Sequence, residues 1–406
     1  MEDLLKKYEA GVLAYKNGNY EESQRILSPF LSMPHPRSPD EKMLNALAYA
    51  MYGRLGYAMK SPGKRERYSL GVIETDKDMA PLHLSIAAQN FYSLGAERHA
   101  GYILPFCGTL MMEKRPAAGL RTIYDGIHRL KSSGAPLKAL AIETAKPLIV
   151  KRLLTYLRFS VYEATTQSPV IESESMDAHY VLGECLLLEG LKEEALYHLA
   201  GVYEYYKKTV EEHTRVAQSP AIIESMEMHL NYVRWTVANA ADDRRSVREC
   251  IDYANSYGDW LAWFPGPYTK FPDAPHCELD LREYPPFDFL SDLYVPFSDT
   301  RTAAAYWGTA TEILGSYGGG IPAETLKTAK MFLEAAVEIY KEQEDFQNAA
   351  RATVCLVEAR IRQNREGLNL NEDVNFALQY LDSEKDANML TYLKAMVIPE
   401  ARLVEG

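Results

Sequence analysis

Residues 181–196, VLGECLLLEGLKEEAL, and residues 10–23, AGVLAYKNGNYEES, share a period rather than a chemistry. Gly183 and Gly11 stand seven residues before Gly190 and Gly18, and a small residue, Ala195 or Ser23, follows five further on. A small residue within a helix lets a second helix approach closely, and a glycine that accepts a positive φ lets the chain reverse. Each stretch therefore reads as two helices packed back to back across a tight turn.

Two further stretches carry the same spacing. Ala88, Gly95, Ala100 and Leu104 make one, and Val337, Tyr340, Glu344, Phe346 and Ala349 make the other, with Val and Glu where Gly is usual. With Leu27 closing the first unit and Leu182 and Leu199 completing the third, the four units resemble the tetratricopeptide repeat, a helix-turn-helix unit of ~34 residues. The resemblance covers about a third of the chain. It implies an all-α fold, a right-handed α-solenoid of antiparallel helix hairpins.

The units start near residues 4, 81, 176 and 330 and so are not in tandem. Between them, 44–59, 118–133, 137–165 and 226–240 place apolar residues at three- and four-residue steps, which predicts more helices in the same stack. Ser38-Pro39 and Ser219-Pro220 each offer an N-cap followed by a first-turn proline. Alternating strand patterns are hard to find.

The helical pattern breaks between 258 and 302, dense in proline and aromatic residues. This divides the chain into N-terminal repeats (1–257), an insert (258–302) and C-terminal repeats (303–406). Proline this frequent prevents a long helix, and aromatics this frequent argue against disorder, so the insert is expected to be ordered and packed. Packing across a gap in the stack is the first reading. The sharper one makes Trp260, Trp263 and Tyr268 the wall of a ligand pocket, and an exposed partner-binding patch is the third.

Composition narrows the partners. A net charge of −12 argues against a nucleic-acid backbone or an anionic membrane as the main partner. No apolar run approaches the ~20 residues of a membrane span, and MEDLLKKYEAG does not read as a signal peptide, so a cytoplasmic location is expected. Five scattered cysteines fit reduced thiols better than disulfides or a zinc site.

In tetratricopeptide-repeat proteins the first helix of each unit lines a concave groove, so the resemblance implies inward positions here. They are Leu5, Tyr8, Val12 and Tyr15; Leu82, Ser85, Gln89 and Tyr92; Asp177, Tyr180, Glu184 and Leu187; and Met331, Glu334, Glu338 and Lys341. The Lys and Asn signature of chaperone-tail clamps is lacking. The aromatic first half and acidic second half would suit a protein or peptide with a basic stretch beside apolar side chains. The competing reading is that these side chains are covered by neighbouring helices or solvated.

Catalytic and cofactor patterns are weak. His276 and Cys277 are adjacent, beside Glu278 and Asp280, but a catalytic pair is normally assembled by the fold rather than by adjacency. Neither Glu224 nor Glu227 stands at the i, i+3 or i, i+4 spacing from His229 that a helical metal site needs. The glycine cluster before Pro322 has no Walker lysine, and reads as a joint about which the last part of the chain could hinge. No cofactor or metal is implied. The sequence thus points to a protein-binding scaffold, with a helical enzyme or a small-molecule binder, its pocket between groove and insert, as the alternative.

Overall fold

The computed structural model describes residues 2–31, 38–59, 79–166, 172–216, 219–256, 293–316, 320–363 and 370–404. Among them the chain is all-α, with sixteen helices and no strand. It opens with α1 (Glu2–Lys16), α2 (Tyr20–Leu31), α3 (Pro39–Met59), α4 (Ala80–Ser93), α5 (Glu97–Met111), α6 (Pro116–Ser132) and the long α7 (Pro136–Thr166). Then come α8 (Glu172–Leu188), α9 (Lys192–Arg215), α10 (Pro220–Ala240) and α11 (Arg244–Ser256). The last are α12 (Thr300–Ser316), α13 (Ala323–Glu342), α14 (Phe346–Gln363), α15 (Asn371–Tyr380) and α16 (Ala387–Val404). None of the described helices is long and apolar enough to cross a membrane.

One turn recurs six times among the described residues. Gly18, Gly95, Gly134, Gly190, Asp242 and Glu344 all have φ between 55° and 78°. At each, the turn residue's amide donates to the carbonyl three residues back, and the next amide donates to the carbonyl five before itself. Gly18 bonds to Tyr15 at 2.9 Å and Asn19 to Ala14 at 2.9 Å; Glu344 bonds to Lys341 at 3.1 Å and Asp345 to Tyr340 at 2.8 Å. A left-handed residue of this kind satisfies carbonyls that a helix end leaves orphaned. The turn joins α1 to α2, α4 to α5, α6 to α7, α8 to α9, α10 to α11 and α13 to α14.

Glu344 is instructive because its Cβ makes the left-handed conformation costly. Glu344→Gly is expected to stabilise the protein by about 0.5–1 kcal/mol, read as a higher urea midpoint at unchanged slope. A lower midpoint would show that the glutamate side chain contributes more than the strain it imposes.

Small residues set the helix spacing within hairpins. A Cβ on Gly11 would lie 2.7 Å from Leu27, and one on Gly183 would lie 2.6 Å from Leu199. Ser23 Oγ donates to the Gly11 carbonyl at 2.8 Å. Helices start at Pro39 and Pro220 as their flanking serines suggested, but the two caps differ. Ser38 Oγ accepts from the Glu41 amide at 3.2 Å, whereas Ser219 makes no side-chain cap bond.

The chain divides into two compact units, residues 1–150 with 171–296 and residues 151–170 with 297–406. The core of the first gathers Leu27, Met43, Tyr52, Phe91 and Phe106. The core of the second is an aromatic cluster in which Phe332 meets Phe159 at 5.5 Å, Tyr162 at 6.1 Å and Tyr306 at 5.7 Å. Residues 151–170, which the sequence division assigned to the N-terminal repeats, thus pack with the second unit.

Trp260, Trp263, Tyr268 and the His276–Asp280 cluster lie outside the described residues, as do Gly318 and Gly319 of the expected joint. The end of the insert is described, and its two aromatics are packed. Tyr294 sits 5.9 Å from Tyr57 and donates to Glu113 at 2.8 Å; Phe297 stacks on Tyr156 at 3.8 Å.

Candidate functional site

The recurrent turn supplies a register that the small residues do not. Thirteen, ten, six and three residues before Gly18, Gly95, Gly190 and Glu344 lie the sixteen inward positions named above. The same count from Gly134 gives Arg121, Tyr124, His128 and Lys131, and from Asp242 it gives His229, Tyr232, Thr236 and Asn239. These two sets, which sequence reasoning missed, contribute to a connected polar cluster of the first unit.

At its centre α6, α8 and α10 each contribute one side chain to a closed triangle. Arg121 Nη2 donates to the Glu184 carboxylate and, at 2.7 Å, to the Tyr232 hydroxyl, which itself donates to Glu184 Oε1 at 2.7 Å. Burial opposes the charge on Arg121, but the adjoining Glu184 and Tyr232 outweigh it and hold the guanidinium pKa above its ordinary value. Burial, reinforced by Glu184, pushes the Tyr232 and Tyr180 hydroxyls well up, so both stay protonated.

The bridges continue on both sides. Tyr124 donates to Glu189 and accepts from Lys146 at 2.9 Å. Toward the N-terminus, Tyr92 donates to Asp125 at 2.9 Å while the Arg129 guanidinium lies 3.7 Å from the Tyr92 ring centre. Asn90 donates to Asn45 at 2.9 Å, and Arg54 to the Tyr15 hydroxyl at 2.8 Å. Toward α9, Tyr206 donates to Asp177, and His229 lies edge-on to Tyr206 and Tyr180 at 4.8 and 6.0 Å. A ladder of polar and aromatic contacts therefore runs from α1 to α10.

The positions expected in the groove fare unequally. Tyr8 is 3% exposed and set edge-on to Phe30, so it fills the core instead of facing a partner. Val12, Tyr15 and Tyr92 are half-buried, Gln89 is exposed, and Tyr180 ends in a buried hydroxyl. The acidic positions are matched internally: Glu184 by Arg121, Glu334 by Arg360 at 3.3 Å, and Glu338 by Lys151 at 2.6 Å. Attraction of a basic segment by unpaired carboxylates at these places is thereby weakened.

His179 and His198 meet through their Nδ1 atoms at 2.8 Å, one ring donating and the other accepting. Burial lowers the pKa of His83, His179 and His229 below the ordinary imidazole value. The unfolded chain then binds more protons than the folded one between each lowered pKa and ~6.5, so folding stability falls as pH drops through that window. Stability measured from pH 7 to pH 5 should decline, and less steeply in His83→Phe; a flat profile in the native protein would contradict the assignment.

Beside the Arg121–Glu184–Tyr232 triangle opens a cavity of about 280 Å³, lined by Arg121, Glu184, Leu187, Leu188, Lys192, Trp235, Thr236, Asn239 and Asp242. Among the described residues no three His, Cys, Asp or Glu side chains converge as a metal site would require. No protein-family model and no curated protein matches this chain.

Proposed function

We propose that the chain is a protein-binding adaptor, a solenoid of helix hairpins similar to tetratricopeptide-repeat proteins, whose first helices hold a segment of a partner protein. The observation that carries this reading is the recurrence of one left-handed turn, with side chains upstream of it linking α4 to α6, α6 to α8 and α8 to α10. Alternate helices also touch: α1 with α3, α6 with α8 and α8 with α10 in the first unit, α12 with α14 and α14 with α16 in the second. Stacked repeats propagate through such nearest-neighbour contacts. The internal pairing of the acidic positions favours a partner of mixed polarity, read by aromatic and amide groups, over a strongly basic one.

We place the protein in the cytoplasm. Cys107, Cys185 and Cys250 are buried free thiols, and burial raises the Cys107 pKa to about 12, which keeps it unreactive.

The test is a photocrosslinking residue placed at Gln89, exposed on a first helix, and in a second protein at Tyr197, 79% exposed on the second helix α9. In a lysate of the source cells, a discrete adduct from position 89 and none from 197 supports groove binding. Equal adducts from both positions, or none from 89, would remove the adaptor reading.

A further inference from the structure

We infer that the cavity beside Arg121 binds a small zwitterion with the size and charge pattern of a free amino acid. This does not rest on the adaptor reading; it comes from charge, capacity and volume at one place.

Two ion pairs frame the cavity. Arg121 and Glu184 form one, with side chains 24% and 9% exposed, and Lys192 and Asp242 form the other, at 44% and 73%. The first pair is the floor and the second the rim. Two positive and two negative groups leave the enclosure neutral, so an anion or a cation alone would bring in a charge that the half-enclosed site does not balance. A ligand carrying one charge of each sign adds none.

Each charged group also has bonding capacity left. Among the described residues Arg121 bonds through Nη2 alone, Glu184 through Oε1 alone, and Asp242 through Oδ1 alone to Lys192. Arg121 Nη1 and the remaining N–H groups of Lys192 Nζ can take a carboxylate, while Glu184 Oε2 and Asp242 Oδ2 can take an ammonium group. The rest of the wall is Leu187, Leu188 and the Trp235 indole together with Thr236 and Asn239, which donate to the α10 carbonyls of Tyr232 and Trp235, and its apolar part suits a side chain that is itself aliphatic or aromatic. A volume of about 280 Å³ is at the bottom of the range for ligand pockets, too small for a nucleotide or a large cofactor.

The twenty L-amino acids, screened by thermal shift on the full chain and then by calorimetric titration, test this directly. An apolar or aromatic amino acid should bind in the micromolar to millimolar range. Its N-acetyl and its C-terminal amide derivatives, each lacking one charge, should bind roughly tenfold more weakly or worse. Trp235→Ala should weaken binding similarly. So should Lys192→Met, whose exposed pair can be lost without unfolding the chain. Absence of binding by any amino acid at millimolar concentration overturns the proposal. So do blocked derivatives that bind as tightly as the parent, or an affinity unchanged in both variants.

Discussion

Glu342→Ala is expected to destabilise the C-terminal unit by about 3 kcal/mol, whereas Arg152→Met should change its stability by less than ~1.5 kcal/mol. The asymmetry follows from where each partner sits. Arg152 is 1% exposed, and its guanidinium reaches Glu342 at 2.7 Å, Glu338 at 3.4 Å and the Ala335 carbonyl at 3.4 Å, while its buried Nε has no partner among the described residues. Glu342 and Glu338 are 42% and 41% exposed. Removing Glu342 leaves a buried cation whose other carboxylate is shared with Lys151, and an uncompensated buried charge is the costly state. Removing the arginine charge instead lets both carboxylates rehydrate, and methionine fills much of the volume of the stem. Hydrogen exchange of the α13 amides, which reports this unit separately from the rest of the chain, should show the difference. Equal losses in the two variants would mean that packing of the stem, rather than the stranded charge, governs this site.

The pair Arg152–Glu342 was invisible in the sequence, as was Arg121–Glu184, because partners 190 and 63 residues apart meet only once the stacking of helices is known. What could be read locally was read. The hairpins at Gly18, Gly95 and Gly190, the Val337–Ala349 hairpin despite its Glu344, and the close contacts at Gly11 and Gly183 all follow from residue size and backbone freedom. Helices are expected over 118–133 and 226–240, but the register of the turns at Gly134 and Asp242 is not legible, because neither has the small residue seven places upstream that marks Gly18, Gly95 and Gly190. Ile127 and Trp235 stand there instead. The left-handed turn is the constant feature, and Asp and Glu adopt it here without glycine. Tyr8 misled for a different reason: its position in the hairpin matches an inward site, but α3 packs on both α1 and α2, and the ring ends in their common core. Local spacing fixes a side chain's direction on its helix; it does not say whether another helix lies in that direction.

The same substitution, glycine to alanine, should act in opposite directions at three sites according to what faces the missing Cβ. Gly108→Ala is expected to cost about 2–3 kcal/mol. A Cβ there would lie 2.5 Å from the Gly119 carbonyl oxygen and 3.0 Å from the Ile123 amide nitrogen, both backbone atoms of α6, so the helices themselves must separate. Gly119 returns the contact, its own Cβ position falling 2.5 Å from the Gly108 carbonyl. Gly183→Ala should cost less, about 1 kcal/mol, because the nearest atoms belong to the Leu199 side chain rather than to the backbone of the facing helix; the larger Gly183→Leu should reach ~1–3 kcal/mol. Gly201, inside α9, has nothing among the described residues within 4 Å of its Cβ position, so Gly201→Ala should stabilise by about 0.5–1 kcal/mol through helix propensity alone. Thermal or urea melts of the three alanine variants decide the matter by rank. If Gly108→Ala were no worse than Gly183→Ala, α5 and α6 would have to accommodate a methyl group by small shifts, and the backbone-to-backbone contact would not be what sets their spacing.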